Sequence, residues 1–409
     1  MHEEGAFLAS IRERPEDDGP RLIYADYLDE RRDARGAFIR VQCALAQLGD
    51  EDPRRETLAE QERFLLEANR HIWTIPFRGL TNAEEFRRGF VESVNIEARV
   101  FLMRAEEMFN LGPIRHIRLL DVAGLLRQIV TSPYLSRLTE LSIGKQHLGD
   151  VLARSLAESP HVTGLSALRL VRNRLGDNGA EALARTPNLA KLRHLDLSEN
   201  GIGDLGARAI SASPWLNEIE SLQLAINEIG FGGLEALAAS TRLLALTTLG
   251  LSQNRVGTQR RIPFIGEPTP PRLRSLDLSE NGISPASIAA IMNSAYLNGL
   301  NHLDLNRNQL GNAGVETLAG STFLGSLCSL MLNSNQIGDE GARSLARSVH
   351  LERLSVLDLS YNPIHDAGAL ALLEAGALRR LRKLGVPQLG LSQRMRRALQ
   401  ARFGAPLRT

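Results

Sequence analysis

Cysteine is nearly absent. Cys43 and Cys328 stand far apart in the chain, so neither a disulfide framework nor a cysteine metal spacing is available. Lysine is scarcer still for its class: Lys145, Lys191 and Lys383 are the only three among 48 basic residues, and the rest are arginine. No structural rule demands that ratio, and it fits a GC-rich bacterial genome. Aromatics make up 5 % of the chain, which leaves an aliphatic core. No excess of either charge exists, because 48 basic residues meet 47 acids. The overall balance therefore gives no argument for a polyanion or a membrane. No apolar run approaches the roughly 18 residues of a spanning helix. The first twenty residues carry Glu3, Glu4, Glu16, Asp17 and Asp18 and no basic stretch leading into an apolar one, unlike a secretory leader. These absences point to the cytoplasm, with neither membrane nor nucleic acid expected as a partner.

What is present is a repeat. The string LRHLDLSENGIGDLGARAI begins at Leu192, and the same frame begins at Leu165, Ile219, Leu246, Leu273, Leu300, Leu327 and Leu354, always 27 residues apart. A repeat of this length is the sequence sign of a solenoid. Each unit has asparagine at its ninth position: Asn173, Asn200, Asn227, Asn254, Asn281, Asn308, Asn335 and Asn362. Weaker units begin at Leu138, with Gln146 in the asparagine's place, and at Leu381. Degenerate ones begin near Val91 and Ile114, which makes about twelve.

One unit shows the physics. Leu195 and Leu197 alternate with Asp196 and Ser198, the pattern of a short half-buried strand. Asn200 leaves the strand, and its amide can bond backbone groups of its own and the next turn, making a stacked ladder. Ile202 turns inward and Asp204 is placed to cap a helix. Ala207, Ile210 and Ala212 then face the strand, and Pro214 ends the helix. About seven buried apolar side chains contribute roughly 10–20 kcal/mol gross. Ordering the unit's backbone costs about 1–2 kcal/mol per residue. A single unit cannot fold alone, so neighbours must stack.

The LxxLxLxxNxI frame, the following G-D-x-G-A and the 27-residue pitch resemble the ribonuclease-inhibitor-like class of leucine-rich repeats, over roughly Leu138 to Leu391. The resemblance implies an α/β solenoid with parallel strands on a concave face and helices on a convex one. It implies binding of other proteins and no enzymatic activity. One branch resembles activators of Ran-type small GTPases, so a GTPase regulator is the alternative. The segment from Gly257 to Arg272 departs from the pattern. Its four prolines forbid a regular helix, and Ile262 or Phe264 is expected to replace the helix's inward side chain.

The first 80 residues lie outside the repeat. Phe7, Leu8 and Ile11 have helical spacing. Asp18 or Gly19 is placed to cap a second helix with Pro20 in its first turn. A third helix is expected after Gly36, and a fourth over about Asp52 to Trp73, with Leu58, Leu65, Leu66 and Ile72 facing inward. The string P-E-D-D-G-P-R-L-I-Y-A-D-Y-L-D-E-R and the later R-G-A-F-I-R-V-Q-C resemble the bacterial repeat-companion domain. That resemblance adds architecture and no activity. The organisation expected is a helical companion domain over 1–80, the solenoid over 81–391 and a basic capping helix over 392–409.

No catalytic constellation stands out. Asp17, Asp18, Asp26 and Glu30 read as caps and ion-pair partners of Arg21, Arg31 or Arg35. His194 with Asp196 and His302 with Asp304 share a strand face without a third metal ligand. No cofactor is expected. The functional surface is the strand face, meeting an unidentified protein through Arg169, Arg172, His194, Asp196, Glu199, Asp277, Glu280, His302, Asp304, Arg307, Asp358 and Tyr361. Early units there are basic and later ones acidic, which suits orienting a partner. Folding does not obviously need the carboxylates.

Overall fold

In the computed structural model, residues 2–49, 52–257, 273–293, 297–387 and 389–404 are described. The proline-rich segment 258–272, with Ile262 and Phe264, lies outside them. The chain divides into two compact units. One comprises Met1–Gln146 and Ser159–Leu168, the other His147–Glu158 and Arg169–Thr409.

The first unit opens with helices α1 (His2–Glu13), α2 (Asp18–Asp29), α3 (Ala34–Gln47) and α4 (Arg54–Trp73). Asp17 caps α2 by accepting from the Gly19 N–H, and Asp33 caps α3 through the Arg35 N–H. The expected caps Asp18 and Gly19 are already inside α2, and Gly36 lies inside α3. Residue Asp17 wins because its backbone is extended and its carboxylate reaches back over the first turn. Ile11, Tyr24, Leu28, Ile39 and Cys43 bury one another together with Phe90. Helix α4 is less embedded than its apolar residues suggest. Leu58, Leu65 and Leu66 are only half-buried, and Ile72 is exposed. The helix is anchored instead at its last residue, Trp73, whose ring lies 4.8 Å from that of Phe38.

Phe90 belongs to a hairpin that the repeat frame did not foretell. Strand β1 (Ala83–Arg87) runs antiparallel to β2 (Phe90–Glu97). The turn holds Arg88 and Gly89, both with positive φ, as two-residue hairpin turns favour. Gly89 is required twice over. Its φ is +87°, and a Cβ there would lie 2.2 Å from Ile39 Cγ1. Strand β2 then pairs in parallel with β3 (His116–Leu120), and β3 with β4 (Glu140–Ser142). Helices α5 (Ala98–Leu111) and α6 (Leu126–Val130) follow β2 and β3.

Side-chain bonds tie the helices to this hairpin. Arg21, wholly buried in α2, donates to Glu92 of β2 at 2.5 Å and to the Pro15 carbonyl at 2.7 Å. Gln42 accepts from the Gly89 N–H at 2.6 Å and donates to the Phe86 carbonyl at 3.3 Å. Arg35 donates to the Gly89 carbonyl. Asp26, with Asp29, pairs with Arg40, Asp17 pairs with Arg14 and Asp18 with Arg88.

Strand β5 (Ala167–Arg169) falls at the division between the units, and in the second unit α7 (Asp150–Glu158) and α8 (Gly176–Arg185) precede a regular alternation. Strands β6 (His194–Asp196), β7 (Ser221–Gln223), β8 (Thr248–Gly250), β9 (Ser275–Asp277), β10 (His302–Asp304), β11 (Ser329–Met331), β12 (Val356–Asp358) and β13 (Lys383–Gly385) follow. Each pairs in parallel with the next, residue n opposite n + 27. Between them lie α9 (Asp204–Ser211), α10 (Phe231–Ala238), α11 (Pro285–Met292), α12 (Gly311–Ala319), α13 (Asp339–Arg347) and α14 (Asp366–Glu374), and α15 (Gln393–Phe403) closes the chain. This is an α/β leucine-rich-repeat solenoid. The leucines at positions one, four and six of every unit are buried.

Three polar ladders run through it. The first is the asparagine ladder. Asn200 accepts from the N–H groups of Asn173 and Leu175, and donates to the carbonyls of Leu170, Leu197 and Ser198. Its neighbour is the preceding unit, not the next one as expected, because the amide points back along the stack. Gln146 keeps a reduced version, accepting from the Val122 N–H and donating to the Leu119 carbonyl.

The second ladder caps helices across units. Asp204 does not cap its own helix. It accepts from the N–H groups of Gly230 and Gly233 in the following unit, as Asp177 does for Gly203 and Gly206. Asn312 and Asp339 repeat the arrangement. Each carboxylate sits in the first turn of its own helix, where the macrodipole favours it, and satisfies orphan donors of the next.

The third ladder is of hydroxyls after the helices. Thr186, Ser213 and Ser348 donate to the carbonyls of Ala157, Ala184 and Ala319, each 29 residues back. Ser213 is thus the buried residue at the end of α9, and Ala212, expected inside, is exposed.

Candidate functional site

The strand face of the second unit is built by register. Because residue n of one strand lies opposite n + 27 of the next, equivalent positions form columns. Neighbouring strands are about 4.8 Å apart. The fourth and sixth residues of each unit point into the core, so the third and fifth face away. The third column runs His194, Ser221, Thr248, Ser275, His302, Ser329, and the fifth runs Asp196, Gln223, Gly250, Asp277, Asp304, Met331, Asp358.

The carboxylates on this face are not idle in the fold. One oxygen of Asp196 accepts from the N–H and the hydroxyl of Ser198, and Asp277 does the same with Ser279. Asp304 accepts from the Asn306 N–H, and Asp358 from the Ser360 N–H. Each closes a small side-chain turn where the strand ends. Folding therefore uses a carboxylate oxygen of every such residue, and both oxygens of Asp304, whose Oδ2 accepts from the Asn306 amide at 3.2 Å, although the sequence showed no obvious need for them. Asp358 also departs from the outward placement expected of it. It is buried, packed against Gly385 of the last strand, where a Cβ would fall 2.2 Å from its oxygen.

Asp304 lies between two more acids of its column. Burial is the main force raising its carboxyl to about 6, the charges of Asp277 and Asp358 add to it, and the Asn306 N–H opposes it. His302 beside it is half-buried. Burial lowers its imidazole below the usual value, against the attraction of Asp277. His194 is exposed. Among the described residues no group of three His, Cys, Asp or Glu side chains could hold a metal ion.

The eighth position forms an edge beside this face. Arg172, Glu199, Ile226, Gln253, Glu280, Arg307, Ser334 and Tyr361 all have φ between +53° and +59°, the left-handed region that non-glycine residues rarely enter. The asparagine that follows, locked in its ladder, holds them there. Arg172 pairs with Glu199 at 3.7 Å, and Arg307 with Glu280 at 3.0 Å. The expected site residues at this edge are thus brought together in opposite-charge pairs. Tyr361 is 71 % exposed and Ile226 45 %. Arg169, on β5, is exposed as well. Sequence reading missed Ile226, although a β-branched residue just before the ladder asparagine was visible in the repeat alignment. It also missed the matched pairs Arg193–Glu220 and Arg255–Glu228.

The first unit has a cleft of about 570 Å³ lined by Glu16, Gln42, Glu62, Arg88, Glu92 and Arg115, among others. Its charges are spent internally. Glu16 pairs with both Arg88 and Arg115, and Glu92 with Arg21. Cys43 is buried, which pushes its thiol up to about 12, far from a reactive thiolate. Cys328 is exposed.

Six segments of the chain match a family model described as leucine-rich repeat: residues 164–184, 188–211, 271–292, 298–319, 326–346 and 350–373. No curated protein matches the sequence. Among solved structures, an internalin (InlF) from Listeria monocytogenes is 18 % identical, covers 73 % of this chain and 86 % of its own, and superposes with a TM-score of 0.39. The yeast Rad7 and Elc1 complex gives 18 %, 91 % of each chain and 0.42. A TLR13–ssRNA13 complex gives 20 %, 72 % of this chain, 39 % of that one and 0.47. No helix among the described residues is long and apolar enough to cross a membrane.

Proposed function

Since the chain carries leucine-rich repeats, we propose that it is a non-enzymatic scaffold that binds another protein on the strand face of its second unit. The repeat is read as the ribonuclease-inhibitor-like type. Residues 1–80 are read as a companion domain, 81–391 as the solenoid and 392–409 as its capping helix. The observation that carries the proposal is the set of outward columns. The three ladders hold the stack from within, and the side chains at positions three, five and eight are arrayed on one face in a single register. Tyr361 and Ile226 add exposed apolar surface beside those columns. Arg169, Arg172, His194, Asp196, Glu199, Asp277, Glu280, His302, Asp304, Arg307, Asp358 and Tyr361 are the proposed contact set, with the buried Asp358 contributing through its charge on the same column, two strands from Asp304.

The test removes charge while keeping the turn. Asp277→Asn with Asp304→Asn retains an acceptor oxygen for the Ser279 and Asn306 N–H groups. A partner captured from the native host is titrated against both forms. The expected result is a melting temperature no lower than the native chain's and binding at least about tenfold weaker, about 1.4 kcal/mol. Unchanged affinity would move the binding surface away from this face.

A further inference from the structure

The end of the chain breaks the charge pattern of everything before it. After Glu374 the sequence holds nine basic residues and no acid, and the whole chain carries only +1, so the residues before Arg379 are left with a net charge of −8. Near-neutral composition conceals this segregation.

Eight of the nine cations are described, and all eight are exposed. Arg379, Arg380, Arg382 and Lys383 lie on β13 and its approach. Arg394, Arg396, Arg397 and Arg402 lie on α15. Among the described residues none of the eight makes an ion pair. Some arginines elsewhere in this unit meet a glutamate of the neighbouring repeat, as in Arg193–Glu220 and Arg255–Glu228; what sets this end apart is eight cations with no acid among them.

Helix stability does not account for them. Arg394, Arg396 and Arg397 occupy the first five residues of α15, the end where the macrodipole repels cations. Helices α7, α8, α9, α13 and α14 all place Asp in that turn. The apolar stripe of α15 explains the helix but not its charge. Leu391, Leu399 and Phe403 are buried, and Leu399, Phe403 and Arg396 line a small cavity together with Leu384 of β13 and Val386 just after it. Those contacts shield the open end of the stack, and any polar outer face would serve them.

We infer that this end of the second unit is an electrostatic binding surface for the phosphate backbone of a nucleic acid. The stripe that could enter a lipid bilayer is already spent on the protein core. A protein interface wants an apolar centre that loses its water, and among the described residues after Glu374 only Leu389 is large, apolar and exposed. Phosphates need neither. The guanidinium's planar fork can meet phosphate oxygens in pairs, although arginine is no more frequent among these eight cations than in the chain as a whole. Phe403, the one aromatic ring of α15, is buried, so no ring is offered for stacking bases. The contact is therefore with the backbone and indifferent to sequence. The acidic remainder of the chain confines a polyanion to this end.

The experiment uses the full chain, fluorescent 20-nucleotide single-stranded RNA and 20-base-pair DNA of mixed sequence, and anisotropy over a salt series. One variant carries Arg394→Gln, Arg396→Gln and Arg397→Gln, all exposed. A control of equal charge carries Arg99→Gln, Arg127→Gln and Arg347→Gln, exposed residues outside the patch. The native chain is expected to bind with a steep salt dependence. The α15 variant should bind at least about tenfold more weakly at low salt and lower the slope of log K against log salt by roughly 2 to 3, while the control stays within about twofold. The inference is overturned by no binding at about 50 mM salt, by equal losses in both variants, or by binding confined to polyglutamate or to phosphatidylserine vesicles. Self-association at low salt that the α15 variant abolishes, without nucleic-acid binding, would also overturn it and assign the patch to a second copy of the chain.

Discussion

The two units of this chain hold themselves together by different means. In the second, every polar bond that matters recurs at a fixed separation, 27 residues for the asparagine N–H and 29 for the hydroxyl ladder. Each device exists in several copies, and each copy serves one neighbour. In the first, the decisive bonds occur once. Arg21 reaches Glu92 across 71 positions and Gln42 reaches Gly89 across 47. Repetition spreads stability thinly over many equivalent contacts, whereas unique burial concentrates it. Loss of one part should therefore hurt the first unit far more than the second.

The sharpest way to break that comparison is Arg21→Leu. The guanidinium is fully buried, rests 5.3 Å from the Phe90 ring centre, and has two nitrogens without a partner. Burial pushes the Glu92 carboxyl up, against the pull of Arg21. Removing Arg21 strands a buried acid, which costs about 3–5 kcal/mol. The double variant Arg21→Leu with Glu92→Leu should recover most of that loss, since an apolar pair of similar volume is often neutral. Urea denaturation measures both. A single variant within about 1 kcal/mol of the native chain would mean that the pair is not what joins α2 to β2.

The second unit should yield more gently. Asn200→Ala removes five ladder bonds but leaves water or a shifted neighbour to serve the outermost groups. A loss of about 1–3 kcal/mol is expected, read as a lower urea midpoint. A loss matching that of Arg21→Leu would show that the ladder is as concentrated as the unique pair.

The same contrast explains what could be read from the sequence. A period exposes its own devices: the strand leucines, the inward Ile202 and the asparagine column all follow from one aligned unit. The helix-capping column of Asp177, Asp204, Asn312 and Asp339 was equally periodic. It was misread as local because a cap normally serves its own helix. The hairpin β1–β2 and its seat against Ile39 had no period to betray them. Their partners lie about fifty residues away, and only packing selects them. Of the candidate site, the columns were legible, because register follows from pitch. The left-handed edge and the second role of each carboxylate were not, since both depend on backbone angles at the strand exit.

The smallest effect concerns Asp304 and tests whether its column carries a cost. Its carboxyl is held at about 6, well above the usual aspartate range, chiefly by burial and then by Asp277 and Asp358. A group whose folded value is raised favours the fold in its protonated form. That benefit is complete below about pH 4 and is lost as pH rises through about 6. At pH 7 the ionised Asp304 therefore weighs against folding. Asp304→Asn keeps an oxygen for the Asn306 N–H and removes the charge. It should melt above the native chain at pH 7.5, with the gap closing between about pH 6 and 4. Thermal melts at half-unit steps of pH follow the difference. A gap independent of pH would mean that Asp304 ionises as freely in the fold as in the open chain, and that the acid column is screened by water rather than strained. A gap that behaves as expected would leave a charged face kept at the expense of stability, in a unit whose buried asparagines and helix caps all serve the stack.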